Sequence, residues 1–264
     1  MLLKISHMTE YTYTSPVNYA LQRLRLTPAD GATQKVVNWS SQVIGATIEA
    51  RYSDHFGNVV ELASIADAQD KIRIMAMGTV ETFDTAGITG RHTAYMPLWL
   101  YQRETALTRP GPAIRALTRS IAGDTDLDRL HGLKSALNEA IHFETGQTHA
   151  GTSAEDALTA GHGVCQDHAH TFIAAARLMG LPARYVSGYL HMPGTEQQVA
   201  SHAWAEAHVE GLGWVGFDAA NDQSPDENYV VVAHGFDYHD AAPVSGVQAG
   251  ASNEMLSVTI TVEQ

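Results

Sequence analysis

Alternation of apolar and polar residues dominates the first part of the chain and is clearest over residues 71–80. A period of two places successive side chains on opposite faces of a β-strand. Further candidate strands occupy residues 3–6, 11–14, 24–27, 39–48 and 58–65. Because no helical pattern of ordinary length precedes residue 100, residues 1 to about 83 are predicted to form a β-sandwich.

The pattern changes after a connector at residues 84–97, which contains two glycines and a proline. Apolar residues then recur at helical spacing over residues 112–121, 127–143 and 153–159. Strand patterns return at residues 183–189, 201–209, 214–218, 229–233 and 256–262. The chain is therefore predicted to be α+β, with a β-rich N-terminal domain at residues 1–90. Residues 95–264 are predicted to form a core of helices packed on an antiparallel sheet.

Cys165 is the only cysteine, and it follows two glycines at the start of a further helical pattern. Apolar residues continue that pattern at Ala169, Phe172, Ile173, Ala176 and Met179. A thiol at a helix N-terminus faces unpaired N–H groups and the positive end of the helix dipole. This environment favours the thiolate, which is the nucleophilic form. The helix is thus predicted to be a rigid mount for a reactive sulfur.

His202 and Asp218 lie in two short segments with a period of two, separated by a turn at residues 211–213. These segments predict a β-hairpin that carries both side chains on one face. A two-residue turn would leave Asp218 about three residues, or roughly 10 Å, out of register with His202. A longer loop or a bulge would bring them together, and the sequence permits either.

Composition narrows the function classes further. The 264 residues include 44% hydrophobic residues, so a substantial core can form, and the formal net charge is −13. Such a charge argues against nucleic acid or an anionic membrane as a partner. We find no signal peptide or apolar membrane-spanning run. One cysteine cannot form an internal disulfide, which favours a reducing cytoplasm. Protein partners and oligomeric state stay open.

Several residues allow a structural interpretation beside a functional one. A single buried cysteine is often inert. His162, Cys165, His168 and His170 have a spacing that could hold zinc, but no second ligand pair accompanies them, so no metal or other cofactor is predicted. Trp204 and Trp214 are expected chiefly to pack within the hairpin, and they are also candidates for walls of a substrate groove.

Three blocks of the chain resemble bacterial transglutaminase-like proteins. They are residues 163–170 around the cysteine, residues 180–189, and the histidine and aspartate segments at 202–204 and 213–218. Residues 7–11, 24–28 and 56–58 resemble the β-rich N-terminal domain of these proteins. The resemblance implies a papain-like cysteine core of a protease or amidase. It also implies Cys165 as nucleophile, His202 as base and Asp218 as the residue that orients the histidine.

Two positions depart from the family pattern. Asp218 is followed by Ala219, Ala220 and Asn221 where the family usually has proline and threonine, and His168 stands where phenylalanine is common. The first departure changes the loop after Asp218, and the second could add a titrating group near the thiol.

The predicted function is cysteine-dependent acyl transfer on peptide or other amide bonds, chiefly hydrolysis through a thioester. The backbone N–H of Cys165 is expected to supply one oxyanion donor, and the sequence does not identify a second. An amine-accepting transglutaminase is one alternative. A non-enzymatic interaction protein is the other, although such a protein has no need of all three triad residues.

Overall fold

The computed structural model describes residues 1–65, 67–249 and 253–264. Its strands are β1 (Leu2–Val17), β2 (Tyr19–Thr27), β3 (Gln34–Ile44), β4 (Thr47–Ser53), β5 (Val59–Ile65), β6 (Gln69–Thr82), β7 (Ile88–Gly90), β8 (His142–Phe143), β9 (His162–Gly163), β10 (Ala183–Leu190), β11 (Gln197–Gln198), β12 (His202–Val209), β13 (Gly213–Phe217), β14 (Tyr229–Gly235), β15 (Val244–Ala249) and β16 (Glu254–Glu263). Its helices are α1 (Pro112–Ser120), α2 (Asp126–Ala140), α3 (Ala154–Ala160), α4 (Cys165–Leu178) and α5 (Tyr238–Ala241), with a 3₁₀-helix at Leu98–Gln102.

The first six strands belong to two antiparallel sheets, in the orders β11-β16-β1-β6-β3 and β15-β2-β5-β4. Alternate residues of β1 are buried, as the period of two predicts. Apolar side chains from both sheets share one cluster, which includes Val17, Leu24, Ala63, Ile72 and Ile74. The two sheets therefore bury a common core between them.

A third antiparallel sheet, in the order β14-β10-β12-β13-β7, carries helix α4. Every residue of β10 is buried, and α4 is buried from Asp167 to Arg177. Helices α1, α2 and α3 pack against α4 and complete its enclosure. The predicted α+β class, with helices packed on an antiparallel sheet, is confirmed. No helix within the described ranges has both the length and the apolar character needed to span a bilayer.

The predicted helices form close to their expected positions. Ser153 caps α3 by accepting a hydrogen bond from the backbone N–H of Asp156 at 3.2 Å. Helix α2 ends at Ala140, earlier than the pattern indicates, because the next residues form β8. Strand β8 pairs in parallel with β9, immediately before Cys165. The chain that follows α2 therefore supports the segment that leads into α4.

Strand pairing crosses the predicted boundary between the two domains in both directions. Strand β7, within the connector, pairs with β13 of the core sheet. Strands β15 and β16 return to the N-terminal sheets, where Val244 pairs with Leu24 and Val262 pairs with Ile5. The strand expected at residues 256–262 thus forms, but in an N-terminal sheet. Division of the chain at residues 90–95 stays a prediction.

Arg177 joins four separate segments near the C-terminal end of α4. Its guanidinium donates hydrogen bonds to the carbonyl oxygens of Tyr101, Ala183 and Phe236, at 2.9, 2.9 and 2.7 Å, and to the hydroxyl of Thr108 at 2.8 Å. Burial lowers the pKa of Arg177 to about 10, so the side chain remains charged at neutral pH. The planar fork of arginine suits this set of acceptors.

We expect Arg177→Lys to destabilise the protein although it keeps the charge. A lysine ammonium cannot reach acceptors spread around a planar fork, so buried carbonyl oxygens would lose their partners. The free energy of unfolding, measured by urea denaturation, should fall by roughly 2–4 kcal/mol. Arg119→Lys on the exposed face of α1 is the matched control and should change it by less than about 0.5 kcal/mol. Equal stability of the two variants would contradict the assignment.

Candidate active site

Cys165 occupies the first position of α4, directly after the extended residue Val164. The turn is held by Asp167, whose carboxylate accepts hydrogen bonds from the backbone N–H of Val164 at 2.8 Å and from the Thr148 hydroxyl at 2.7 Å. A Cβ atom at Gly163 would lie 2.7 Å from the side chain of Asp167, so this position requires glycine. The local sequence around Cys165 therefore builds a tight, fixed entry into the helix.

His202 begins β12, and its Nε2 atom lies 2.7 Å from Oδ2 of Asp218. Strands β12 and β13 pair without a bulge, with Ala205 opposite Phe217, across a three-residue loop. Asp218 follows Phe217 and so stands opposite Trp204, two residues from His202 and on the same face. The loop is therefore longer than two residues, and the His202 and Asp218 side chains meet diagonally across the strand pair.

The carboxylate of Asp218 is fully buried among hydrogen-bond donors. Oδ2 also accepts from the Tyr229 hydroxyl and the Asn221 side-chain amide, each at 2.7 Å. Oδ1 accepts from the backbone N–H groups of Ala220 and Asn221 at 3.1 and 3.3 Å. Burial opposes ionisation, but the hydrogen bonds from His202, Tyr229 and Asn221 hold the pKa of Asp218 below its usual range.

The imidazole of His202 is stabilised in its charged form. Burial alone would lower its pKa, but hydrogen bonds to Asp218 and Cys165 and the charges of both groups raise that pKa to about 10. The Trp204 ring stacks behind the imidazole, with ring centroids 6.0 Å apart and planes 25° apart. The three residues singled out from the sequence are thus brought together, with His202 between Cys165 and Asp218.

Asn221 and Tyr229 belong to this arrangement, and neither was among the residues expected from the sequence. The position of Asn221 could have been predicted, because an amide three residues after an aspartate in a tight loop is well placed to donate a hydrogen bond to that aspartate. From the sequence, residues 219–221 were noted only as a departure from the family pattern. Tyr229 lies on β14, which pairs with β10 and does not touch the hairpin ladder directly. No local pattern connects it with Asp218.

A cavity of about 680 Å³ opens beside Cys165 and His202. Its apolar lining comes from Phe143, Val164, Leu190, Met192, Val199, Ala200, Ala203 and Ala220. Beyond Cys165 and His202, its polar lining comes from hydroxyl and amide side chains, and among the described residues that line it there is no Lys, Arg, Asp or Glu. The space next to the thiol therefore suits an uncharged, partly apolar group.

Neither tryptophan lines this cavity. Trp204 is buried behind His202, in contact with Tyr229. Trp214 packs against Tyr101 further along the same face of the hairpin, and the Arg184 guanidinium lies 4.2 Å from the centre of its ring. Both indoles thus serve as core packing, and the structure gives neither a place in the wall of the groove.

The other histidines near Cys165 are engaged by the backbone. The two ring nitrogens of His168 each lie 2.9 Å from a carbonyl oxygen, of Val164 and of Ile141. His170 accepts a hydrogen bond from the N–H of Tyr238 at 3.1 Å, and burial lowers its pKa to about 3. Within the described ranges, no group of three or more histidine, cysteine or acidic side chains is placed to hold a metal ion.

Two family models match successive parts of the chain. The bacterial transglutaminase-like N-terminal region matches residues 3–81, and the transglutaminase-like superfamily core matches residues 115–219. The chain belongs to the transglutaminase-like superfamily. The core match contains Cys165, His202 and Asp218, and the N-terminal match contains β1 to β5 and most of β6.

Relatives of this superfamily member extend over the whole chain. An uncharacterized protein of Mycobacterium leprae is 30% identical over 274 residues, covering 98% of each chain. An uncharacterized protein of Mycobacterium tuberculosis is 29% identical over 290 residues, covering 98% of this chain and 91% of the relative. A crystal structure from Cytophaga hutchinsonii, described as a "Putative Cysteine Protease", superposes with a TM-score of 0.76 at 21% identity. It covers 98% of that chain and 100% of this one, which shows a shared fold.

The environment of His202 predicts its titration. With a pKa of about 10, the imidazole should stay protonated through neutral pH, and ¹⁵N ring shifts followed against pH should show this. Its contribution to stability is complete below the unfolded-state pKa of 6.5 and is lost as pH rises through about 10. Asp218→Asn should lower the midpoint, since the amide removes the partner charge. A His202 midpoint near 6.5 in the wild type would contradict the paired arrangement.

Proposed function

We propose that this protein catalyses cysteine-dependent acyl transfer on amide bonds, chiefly as a peptidase or amidase. In this proposal Cys165 is the nucleophile, His202 the general base and acid, and Asp218 the group that orients the imidazole. One observation carries the proposal: His202 lies between the Cys165 thiol and the fully buried carboxylate of Asp218, 2.7 Å from the latter, at the edge of an open cavity. A structural cysteine needs no such partners.

The chemistry follows from these positions. The Cys165 sulfur attacks the amide carbonyl carbon, so a C–S bond forms and the carbonyl π electrons move to oxygen. When the carbonyl re-forms, the C–N bond breaks, and the amine leaves with the proton held by His202, giving a thioester. Water then attacks the thioester and gives a proton to His202. The C–S bond breaks, releasing a carboxylic acid and restoring the Cys165 thiolate beside the protonated His202. Asp218 remains ionised throughout.

The lining of the cavity supports an uncharged acyl group as the part of the substrate that enters beside the thiol. A charged side chain would lose its hydration there, because the lining residues beyond Cys165 and His202 offer it no opposite charge. We therefore expect amides whose acyl side is apolar or carries a neutral amide or hydroxyl group. Acidic and basic acyl groups should react poorly.

The proposal includes a cytoplasmic location, which the single cysteine supports. The reaction requires Cys165 as a free thiol, and a reducing compartment maintains it in that state. Fractionation of the native host, with antibody detection of the protein, tests this part separately.

Substitutions in the triad should separate nucleophile from orienter. With p-nitrophenyl acetate as a probe, Cys165→Ala should abolish formation of an acetyl-enzyme, observed by mass spectrometry. Asp218→Asn should keep the fold, because the amide fills the same volume, and should slow acylation by up to about 10⁴-fold through loss of the productive imidazole form.

The matched control for Asp218→Asn is Asp222→Asn. Asp222 is half-exposed, its carboxylate contacts Ser135 and Lys134, and its φ of 52° is one that asparagine tolerates. The acylation rate of the Asp222→Asn variant should equal that of the wild type. Wild-type acylation by Asp218→Asn, or an acetyl adduct on Cys165→Ala, would count against the proposal.

Deacylation of the acetyl-enzyme distinguishes hydrolysis from the two alternative functions. We expect the acetyl-enzyme to release acetate in water, with little N-methylacetamide when methylamine is added. Dominant formation of that amide would assign an amine-accepting transglutaminase instead. A wild-type thiol that is alkylated by iodoacetamide but forms no acetyl-enzyme would favour an interaction protein that retains the fold.

A further inference from the structure

Attack on a carbonyl creates a negative oxygen, which requires hydrogen-bond donors in fixed positions. The backbone N–H of Cys165 is one donor, because it belongs to the first turn of α4 and has no acceptor within the helix. Enzymes of this type use at least two donors, so the cavity should contain another.

Most amide side chains around the cavity are already engaged. The amide nitrogen of Gln166 donates to the carbonyl oxygen of Ala150 at 3.3 Å, and that of Gln198 donates to Leu190 at 2.8 Å. The amide nitrogen of Asn221 donates to Asp218 at 2.7 Å. Each would have to break an existing hydrogen bond before it could bind a substrate oxygen, which makes it a poor preorganised donor.

Tyr185 differs from these side chains. It lines the cavity together with Cys165, it is only 2% exposed, and its hydroxyl has no hydrogen-bond partner among the described residues. Burial and the nearby charge of Cys165 raise its pKa well above 10, so the phenol keeps its proton when the sulfur is charged. Because Tyr185 lines the cavity and its hydroxyl is not engaged by another side chain, the hydroxyl is free to donate to a group bound beside Cys165.

The position of Tyr185 is also rigid. It lies within β10, where it pairs with Ala205 on one side and Gly235 on the other. Its ring packs against His170 and Tyr238, with centroid distances of 5.1 and 6.2 Å. A donor held in this way needs no rearrangement when charge develops on the substrate.

We propose that the Tyr185 hydroxyl donates the second hydrogen bond to the substrate carbonyl oxygen as Cys165 attacks it. Tyr185 and the Cys165 N–H then form the oxyanion-binding pair, and the bond strengthens as charge moves onto the oxygen. This inference rests on the proposed function. It adds a catalytic residue that the cysteine, histidine and aspartate motifs do not include.

Two reactions of the same thiol test the inference. Acylation by p-nitrophenyl acetate passes through an oxyanion, whereas alkylation by iodoacetamide displaces iodide at a methylene carbon and forms none. Tyr185→Phe keeps the ring and removes only the hydroxyl. Its acylation rate should fall by about 10²- to 10³-fold, as for loss of one oxyanion donor, while its alkylation rate stays that of the wild type.

Two other hydroxyl groups of the cavity serve as controls. Ser187 lies two residues further along β10, is 3% exposed and also lines the cavity, and Tyr238 lines it from α5. Ser187→Ala and Tyr238→Phe should each lose far less acylation than Tyr185→Phe, and Tyr52→Phe, at a half-exposed position of β4 outside the cavity, should keep both rates. If Tyr185→Phe folds poorly, 3-fluorotyrosine at position 185 offers a second variant. It retains the ring and strengthens the donor, so acylation should be faster.

The outcomes are distinguishable. Unchanged acylation in Tyr185→Phe, or a 3-fluorotyrosine protein that acylates more slowly, overturns the inference and leaves the proposed function intact. An equal loss of acylation and alkylation would show that Tyr185 affects the general reactivity of the Cys165 thiol, and this result also overturns the inference. Loss of acylation only in Ser187→Ala makes Ser187 the donor. A wild-type protein that alkylates but never acylates overturns the proposed function, and the inference with it.

Discussion

Enclosure of helix α4 is the constraint on which the rest of this structure depends. Because the helix is buried from Asp167 to Arg177, the polar side chains that it carries near its two ends must find partners within the protein. The Asp167 carboxylate satisfies the N-terminal turn, and the Arg177 guanidinium gathers carbonyl oxygens near the other end. Both side chains are buried, and burial of such polar groups is tolerable only when their hydrogen-bond geometry is fixed. The sulfur of Cys165 is therefore positioned by the requirements of folding before any substrate arrives.

Asp218 is also a buried polar group, and both the stability of the fold and the proposed chemistry require it to stay ionised in a fixed position. A buried carboxylate with five donors is costly to protonate and costly to move. Its Oδ2 atom lies 2.7 Å from Nε2 of His202, and in the proposed mechanism this contact orients the imidazole. Tyr229 takes part from a strand on the far side of β10, so the orientation of one histidine depends on the whole width of the core sheet. This explains why the site lies on a sheet and helix and not on loops alone.

Local periodicity predicted much of this architecture, and it failed where distant partners decide the outcome. The alternation before residue 83 and the helical spacing after Cys165 depend on neighbouring residues, so both could be read from the sequence. The approach of His202 to Asp218 depended on the length of one loop, which left two possibilities open. The partner of β16 could not be foreseen, because a strand pattern carries no information about which edge it joins. The two tryptophans were ambiguous for a similar reason: aromatic residues suit a groove and a core equally well.

The pairing of β1 with β16 has a consequence for how the protein comes into being. A ribosome produces β1 long before β16, since Ile5 and its partner Val262 are separated by most of the chain. The N-terminal sheet therefore cannot be completed during synthesis, and β1 must wait with an open edge while the core is made. Strand β11, which precedes His202 and lines the cavity, in turn pairs with β16. Strand β11 can pair with β16 only after translation has reached the C-terminal strand. The nascent chain therefore contains Cys165 before the cavity beside it is fully formed.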